Sequence, residues 1–167
     1  MDPSVTLKEL RTAIPGSEIQ FLDGGHVAGK EHLEIAAINA SHAFKSVINI
    51  SRSLAMETLL YASAQRQIDA AIARIGVTQD SAMVGFIAFS KTEDDARALE
   101  DRIAQIVGTE LDEDLLDEWS EKKARNITTL YGISATELGA IKMPGQEVDA
   151  AIKKAVVERV ALLSTRI

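Results

Sequence analysis

Three sets of residues in this chain have types and spacings that could support chemistry. The first is Gly24-Gly25-His26-Val27-Ala28-Gly29-Lys30-Glu31, which fits the Gly-x-x-x-x-Gly-Lys half of a phosphate-binding loop. In such a loop backbone amides cradle phosphates, and a Ser or Thr after the Lys places its hydroxyl on magnesium. Here Glu31 holds that position and would put a carboxylate beside the phosphates. No strand ends in a metal-holding Asp, since Phe86-Ile87-Ala88-Phe89 runs into Ser90. A Gly-rich turn into a helix, with Glu31 well placed on the helix dipole, accounts for the same residues. A nucleotide-binding enzyme built on Gly24–Lys30 is the alternative reading.

The histidines form the second set. His32 and His42 fall on one predicted helix, nearly three turns or roughly 15 Å apart, too far to share a metal. With His26 they complete the histidine inventory, and no His-Glu-x-x-His or similar ligand cluster is present, so no metal site is expected. No Gly-x-Ser-x-Gly elbow supports a Ser–His–Asp triad. The chain is read as a non-enzyme with no cofactor and no small-molecule substrate. A regulatory module holding a small ligand is a further alternative.

The third set lies on one predicted helix, Ser53–Ile75, closed by Gly76. At about 100° per residue, Leu54, Leu60, Tyr61, Ala64, Ile68, Ala71, Ile72 and Ile75 gather on a core side. Glu57 falls among them and needs a partner, for which a neighbouring backbone is expected. The opposite side collects Arg52, Met56, Leu59, Ser63, Arg66, Gln67, Ala70 and Arg74. Guanidiniums and an amide set among small or apolar residues suit phosphates and stacked bases, although a solvated helix face would look the same.

The elements that must position these groups read as one α/β domain over residues 1–167, a small central β-sheet surrounded by helices. A helix is expected over residues 2–14 with Ser4 as its cap. A strand follows at Glu18–Leu22, then a helix at Lys30–Phe44 and an extended lead-in at Val47–Ile50. Ala82–Phe89 is apolar on both faces and is read as a central strand. Helices are expected over Glu93–Val107, over Asp112–Leu130, at a turn capped by Ser134, and over Glu147–Ser164. In the last, Val148, Ile152, Ala155, Val156, Leu162 and Leu163 point inward. Val157 and Ala161 lie outside that stripe, so the helix is either buried in its own core or half-offered to a partner.

Composition narrows the class. With 46% apolar and 26% charged residues the chain can fold rather than stay disordered. No apolar run reaches membrane-span length and the N-terminus lacks the basic-then-apolar pattern of a signal peptide, so a cytoplasmic protein without a membrane partner is expected. The net charge of −7 is unevenly placed. Glu93 to Glu121 holds twelve carboxylates against Arg97 and Arg102, a net of −10, which leaves the remainder at about +3. A nucleic-acid partner is therefore compatible with the total.

The run from Asn49 through Ile72, with Ala62-Ser63-Ala64-Gln65-Arg66-Gln67-Ile68 at its centre, resembles the signature segment of a known family. That family is the kinase-binding subunit of the KEOPS (EKC) complex, related to the PRPK-binding protein TPRKB, and the resemblance is to its archaeal members. Val27-Ala28-Gly29-Lys30-Glu31-His32-Leu33 and Glu158-Arg159-Val160-Ala161-Leu162-Leu163 extend the likeness over nearly the whole chain. It implies a non-catalytic role in making threonylcarbamoyladenosine in tRNA. The implied partners are a PRPK-type atypical kinase/ATPase subunit and the 3′ CCA end of tRNA. The tRNA face it implies centres on Ser63, Arg66 and Gln67, flanked by Arg52 and Arg74. The kinase face it implies includes Val156, Val157, Val160 and Leu163. Ala64 departs from the family pattern, where Gly is frequent, and its methyl is expected to narrow a pocket.

Overall fold

The computed structural model describes Glu9, Thr12 and residues 18–165. The helix expected over residues 2–14, with its Ser4 cap, lies outside the described residues except for Glu9 and Thr12, which are helical. Strand β1 (Glu18–Asp23) pairs antiparallel with β2 (Val84–Phe89), in register from Glu18 opposite Phe89 to Asp23 opposite Val84. These two strands make up the sheet among the described residues, so β2 is an edge strand and not the central one expected. Its apolar character on both faces has another cause, because each face of the strand pair meets helices. Phe21 and Phe86, with rings 6.1 Å apart, face Leu99, Ile103 and Ile106, while Leu22 and Ile87 turn into the main core. Layers on both sides support a two-stranded sheet that would be marginal alone.

Helix α1 (Lys30–Lys45) packs against α2 (Leu54–Ser63) and the C-terminal helix, and buries Leu33, Ala36, Ala40 and Ala43, of which the three alanines allow close approach. Eight of the ten residues of α2 are buried. Helix α1, β1 and the C-terminal helix all pack on it, which leaves it without the outer face that its sequence was read as having.

The single helix expected over Ser53–Ile75 is two helices, α2 and α3 (Ile68–Ile75). The break has a local cause. Ala64 takes a left-handed conformation, φ 51 and ψ 39. Its N–H donates to Tyr61 O at 2.9 Å and the N–H of Gln65 donates to Leu60 O at 3.0 Å. That pair of bonds is a Schellman closure. Past the turn the helical phase is reset, and Ile68 and Ile72, expected in the core, stand 41% and 47% exposed.

The acidic helix α4 (Glu93–Val107) forms where it was expected, capped by Thr92. The segment expected as one helix from Asp112 divides into a 3-10 turn at Glu113–Asp117 and α5 (Glu121–Leu130). Ser134 caps α6 (Ala135–Ile141) by accepting from the N–H of Glu137. Helix α7 (Val148–Ala161) runs on into a 3-10 turn at Leu162–Thr165. Among the described residues no helix is long and apolar enough to cross a membrane.

Candidate functional site

The C-terminal end of α2 is buried, and its last carbonyls need partners that solvent cannot supply. His32 on α1 provides one. Its Nδ1 accepts from the N–H of Ala28 at 3.1 Å, which leaves the proton on Nε2 to be donated to Ala62 O at 2.8 Å. Burial lowers the His32 pKa from 6.5 to about 4, so the ring is neutral. The hydroxyl of Tyr131 donates to the same Ala62 oxygen at 2.8 Å, and burial pushes this phenol upward. The two rings meet edge to face, 5.7 Å between centroids. Arg74 completes the closure: its Nη1 donates to Ser63 O at 3.0 Å and its guanidinium lies 5.7 Å from the centre of the Tyr131 ring.

Above this base sits the turn that joins α2 to α3, and the residues expected to meet tRNA separate into three groups there. Arg66 and Gln67 are exposed on the turn. The Nη1 of Arg66 reaches to 3.5 Å from Leu163 O, a contact too long to immobilise it. Ser63 is fully buried and its hydroxyl donates to Leu60 O. Arg74 is half-buried and engaged as described. Arg52 is exposed but precedes α2, a ten-residue helix of about 15 Å, from the turn. Leu59, assigned to the outer side, is 1% exposed. The expected helical stripe of arginines is therefore a compact turn, with Arg66 and Gln67 beside exposed Ile68 and Ile72 and with Leu162 next to the Leu163 carbonyl.

His32 and Tyr131 were not singled out as members of this arrangement. The signal that could have found the turn was Ala64 itself. A position where Gly is frequent at the end of an apolar helical run is a left-handed C′ site before it is a pocket wall.

Three of the four residues expected on a kinase face belong to the chain's own core. Val156 and Val160 are fully buried and Leu163 is 2% exposed, all within the main cluster. Only Val157 keeps partial exposure. The inward stripe of α7 is covered internally, by α1, α6, α2 and α5, but Val148 and Leu162, expected to point inward, stand 45% and 50% exposed because they lie at the two ends of the helix.

The Gly24–Lys30 segment is not a phosphate cradle. Gly24–His26 forms a 3-10 turn capped by Asp23. At the start of α1, where a phosphate would sit, the carboxylate of Asp117 accepts from the N–H of Lys30 at 3.4 Å and from Lys153 Nζ at 2.9 Å. Lys30 Nζ pairs with Asp114 at 2.8 Å, and that hydrogen bond raises its pKa. Partial burial works to raise the Asp117 pKa, but the Lys153 hydrogen bond and neighbouring ammoniums win and hold it below the ordinary value. Gly29 is required here. Its φ is 105 and a Cβ would collide with Asp117 Oδ1. Trp119 lies under both Lys123 and Lys153. Lys123, its pKa lowered chiefly by burial, donates to Leu116 O and Glu118 O. The acidic loop is thus clamped across α1 and α7, and an internal carboxylate fills the anion position.

Among the described residues, no group of His, Asp and Glu side chains is arranged to hold a metal ion. Glu57 has the backbone partners expected of it. At 1% exposure its carboxylate accepts from the N–H of Ile50 at 3.0 Å and of Ser51 at 2.7 Å.

A family model described as "Kinase binding protein CGI-121" matches residues 4–164. No curated protein matches the chain.

Proposed function

The chain belongs to the CGI-121 family of kinase-binding proteins, and from that premise we propose that it is a non-catalytic subunit of the KEOPS complex. In this role it binds the PRPK-type kinase/ATPase subunit in the cytoplasm and helps to recruit tRNA by its 3′ CCA end for threonylcarbamoyladenosine formation. The observation that carries the tRNA half is the turn after α2. It offers a guanidinium and an amide at Arg66 and Gln67, with exposed Ile68 and Ile72 alongside. Cation, amide and apolar surface together suit a single-stranded end, whose phosphates need charge and whose bases need stacking or apolar cover. Ser63 and Arg74 act underneath, by holding the turn's base in place.

Co-purification of the chain with the kinase subunit and total tRNA from one organism tests both halves. Retention of both partners is expected, with tRNA lost after enzymatic trimming of the CCA end. Equal retention of trimmed and intact tRNA would sink the CCA reading and leave the kinase half standing.

A further inference from the structure

Between α1 and α2 the chain exposes Val47 to 85%, Ile48 to 62% and Ile50 to 41%. Helix α1 ends in a second Schellman closure, with Val47 N–H donating to Phe44 O and Ile48 N–H to Ala43 O. The left-handed C′ position, which favours Gly, is held by Val47 at φ 56. A β-branched residue there is a true outlier. Three residues after Val47 the backbone is fixed by the buried carboxylate of Glu57, through Ile50 and Ser51. The Asn49 side chain donates to Ser51 O, and the Ser51 hydroxyl donates to Ser53 O. A strained aliphatic residue and a buried charge both serve to hold a water-facing apolar loop in one shape. Folding alone would be served better by Gly at 47, and strain of this kind points to function.

The charges around the loop say what fits on it. Exposed Lys45 and Arg52 bracket it. No carboxylate occurs from Phe44 to Met56, and Glu57 is turned inward. Ile38, half-exposed, lies on α1 at nearly the azimuth of Lys45, two turns earlier. The complementary surface is an aliphatic pocket with a carboxylate rim. Unlike the turn after α2, this loop has its one amide, Asn49, turned back onto Ser51 O, and its three aliphatic side chains outnumber the flanking cations, so it offers chiefly apolar cover, as the core of a protein interface does. We infer that the loop Lys45–Arg52 is where the kinase partner docks, inserting Val47, Ile48 and Ile50 into such a pocket. This rests on the kinase-binding reading, and it replaces α7 valines that the core has already taken.

The test titrates the purified kinase subunit into the full chain and into two variants, Ile48→Asp and Val47→Gly, with thermal midpoints and tRNA binding measured in parallel. Both substitutions are at exposed side chains. Ile48→Asp is expected to weaken kinase binding at least tenfold with an unchanged midpoint. Val47→Gly is expected to weaken it while raising the midpoint, because strain is relieved as a contact is lost. Unchanged kinase binding in both variants overturns the docking surface while leaving the proposed function intact. Failure of the parent chain to bind the kinase overturns that function itself. Loss of tRNA binding with kinase binding preserved assigns the loop to RNA and also overturns the inference.

Discussion

His32 Nε2 lies 2.8 Å from the carbonyl oxygen of Ala62, so a neutral imidazole on α1 closes the end of the buried helix α2. The folded chain holds this group at about 4, whereas the unfolded chain binds its proton near 6.5. The unfolded state therefore takes up the proton first. Stability is complete above pH 6.5 and falls as the pH drops toward 4, by about 3 kcal/mol in all. His32→Gln keeps one donor and one acceptor but does not titrate. Urea denaturation is expected to show a decline across that window for the parent and a shallower one for the variant. Identical slopes would mean that His32 is not the buried titrating group.

Ala64→Gly is expected to stabilise the chain by about 0.5–1 kcal/mol. The left-handed conformation at φ 51 costs an L-residue about 1–2 kcal/mol, and the greater freedom of Gly in the unfolded chain returns part of the gain. Thermal denaturation is the readout. A lower midpoint would show that packing of the Ala64 methyl outweighs the strain.

The places where sequence reasoning failed have a common physical origin. Ala64 and Val47 both end helices in a conformation for which Gly is the usual marker, so neither end was punctuated. Without the first break, an angular count carried Ile68 and Ile72 into a core they do not join. It also put Leu59 and Ser63 on a surface that does not exist. Val84–Phe89 was misplaced because burial by helices on either face looks, in sequence, like burial between strands. Glu57 was legible, because an isolated carboxylate among apolar residues needs donors and the nearest free N–H groups precede its own helix. Val156 and Val160 were ambiguous in principle. An apolar helix face does not state whether its cover comes from the same chain.

Gly29→Ala is expected to destabilise the protein by roughly 2 kcal/mol or more, since it adds left-handed strain to a collision with Asp117. The Asp117 carboxylate would be displaced from the start of α1 and from Lys153. A melting midpoint within about a degree of the parent's would contradict the clamped loop, given how stability maps to midpoint in a chain of this size.

Arg159 donates to Glu137 through its two terminal nitrogens, Nη1 and Nη2, at 2.7 and 2.8 Å, and ties α6 to α7. Lys cannot reproduce this fork, so Arg159→Lys is expected to cost about 1 kcal/mol. Arg159 holds the Glu137 pKa below its ordinary 4.5. The pair's contribution is therefore present above pH 4.5 and is lost as the pH falls below it. Urea denaturation of the variant at pH 7 and below pH 4 should show the difference from the parent shrinking at the lower pH. A constant difference would assign the loss to packing of the side chain's stem.

Arg66 and Arg74 both belong to the expected tRNA face, yet their surroundings give them opposite expected sensitivities. Arg74 donates to Ser63 O and covers Tyr131, so Arg74→Ala is expected to lower the midpoint first and to affect tRNA through the fold. Arg66 is exposed and held only by a 3.5 Å contact, so Arg66→Glu should leave the midpoint unchanged. It is expected to weaken tRNA binding tenfold or more, a change of about 1.4 kcal/mol, and to flatten the salt dependence by roughly one phosphate contact. If Arg66 meets the CCA end, trimming that end and substituting Arg66 remove the same interaction. Their effects should then fall well short of additive, as expected for groups in contact. Additive losses would place Arg66 on another part of the tRNA, and no loss at all would remove the turn from RNA recognition.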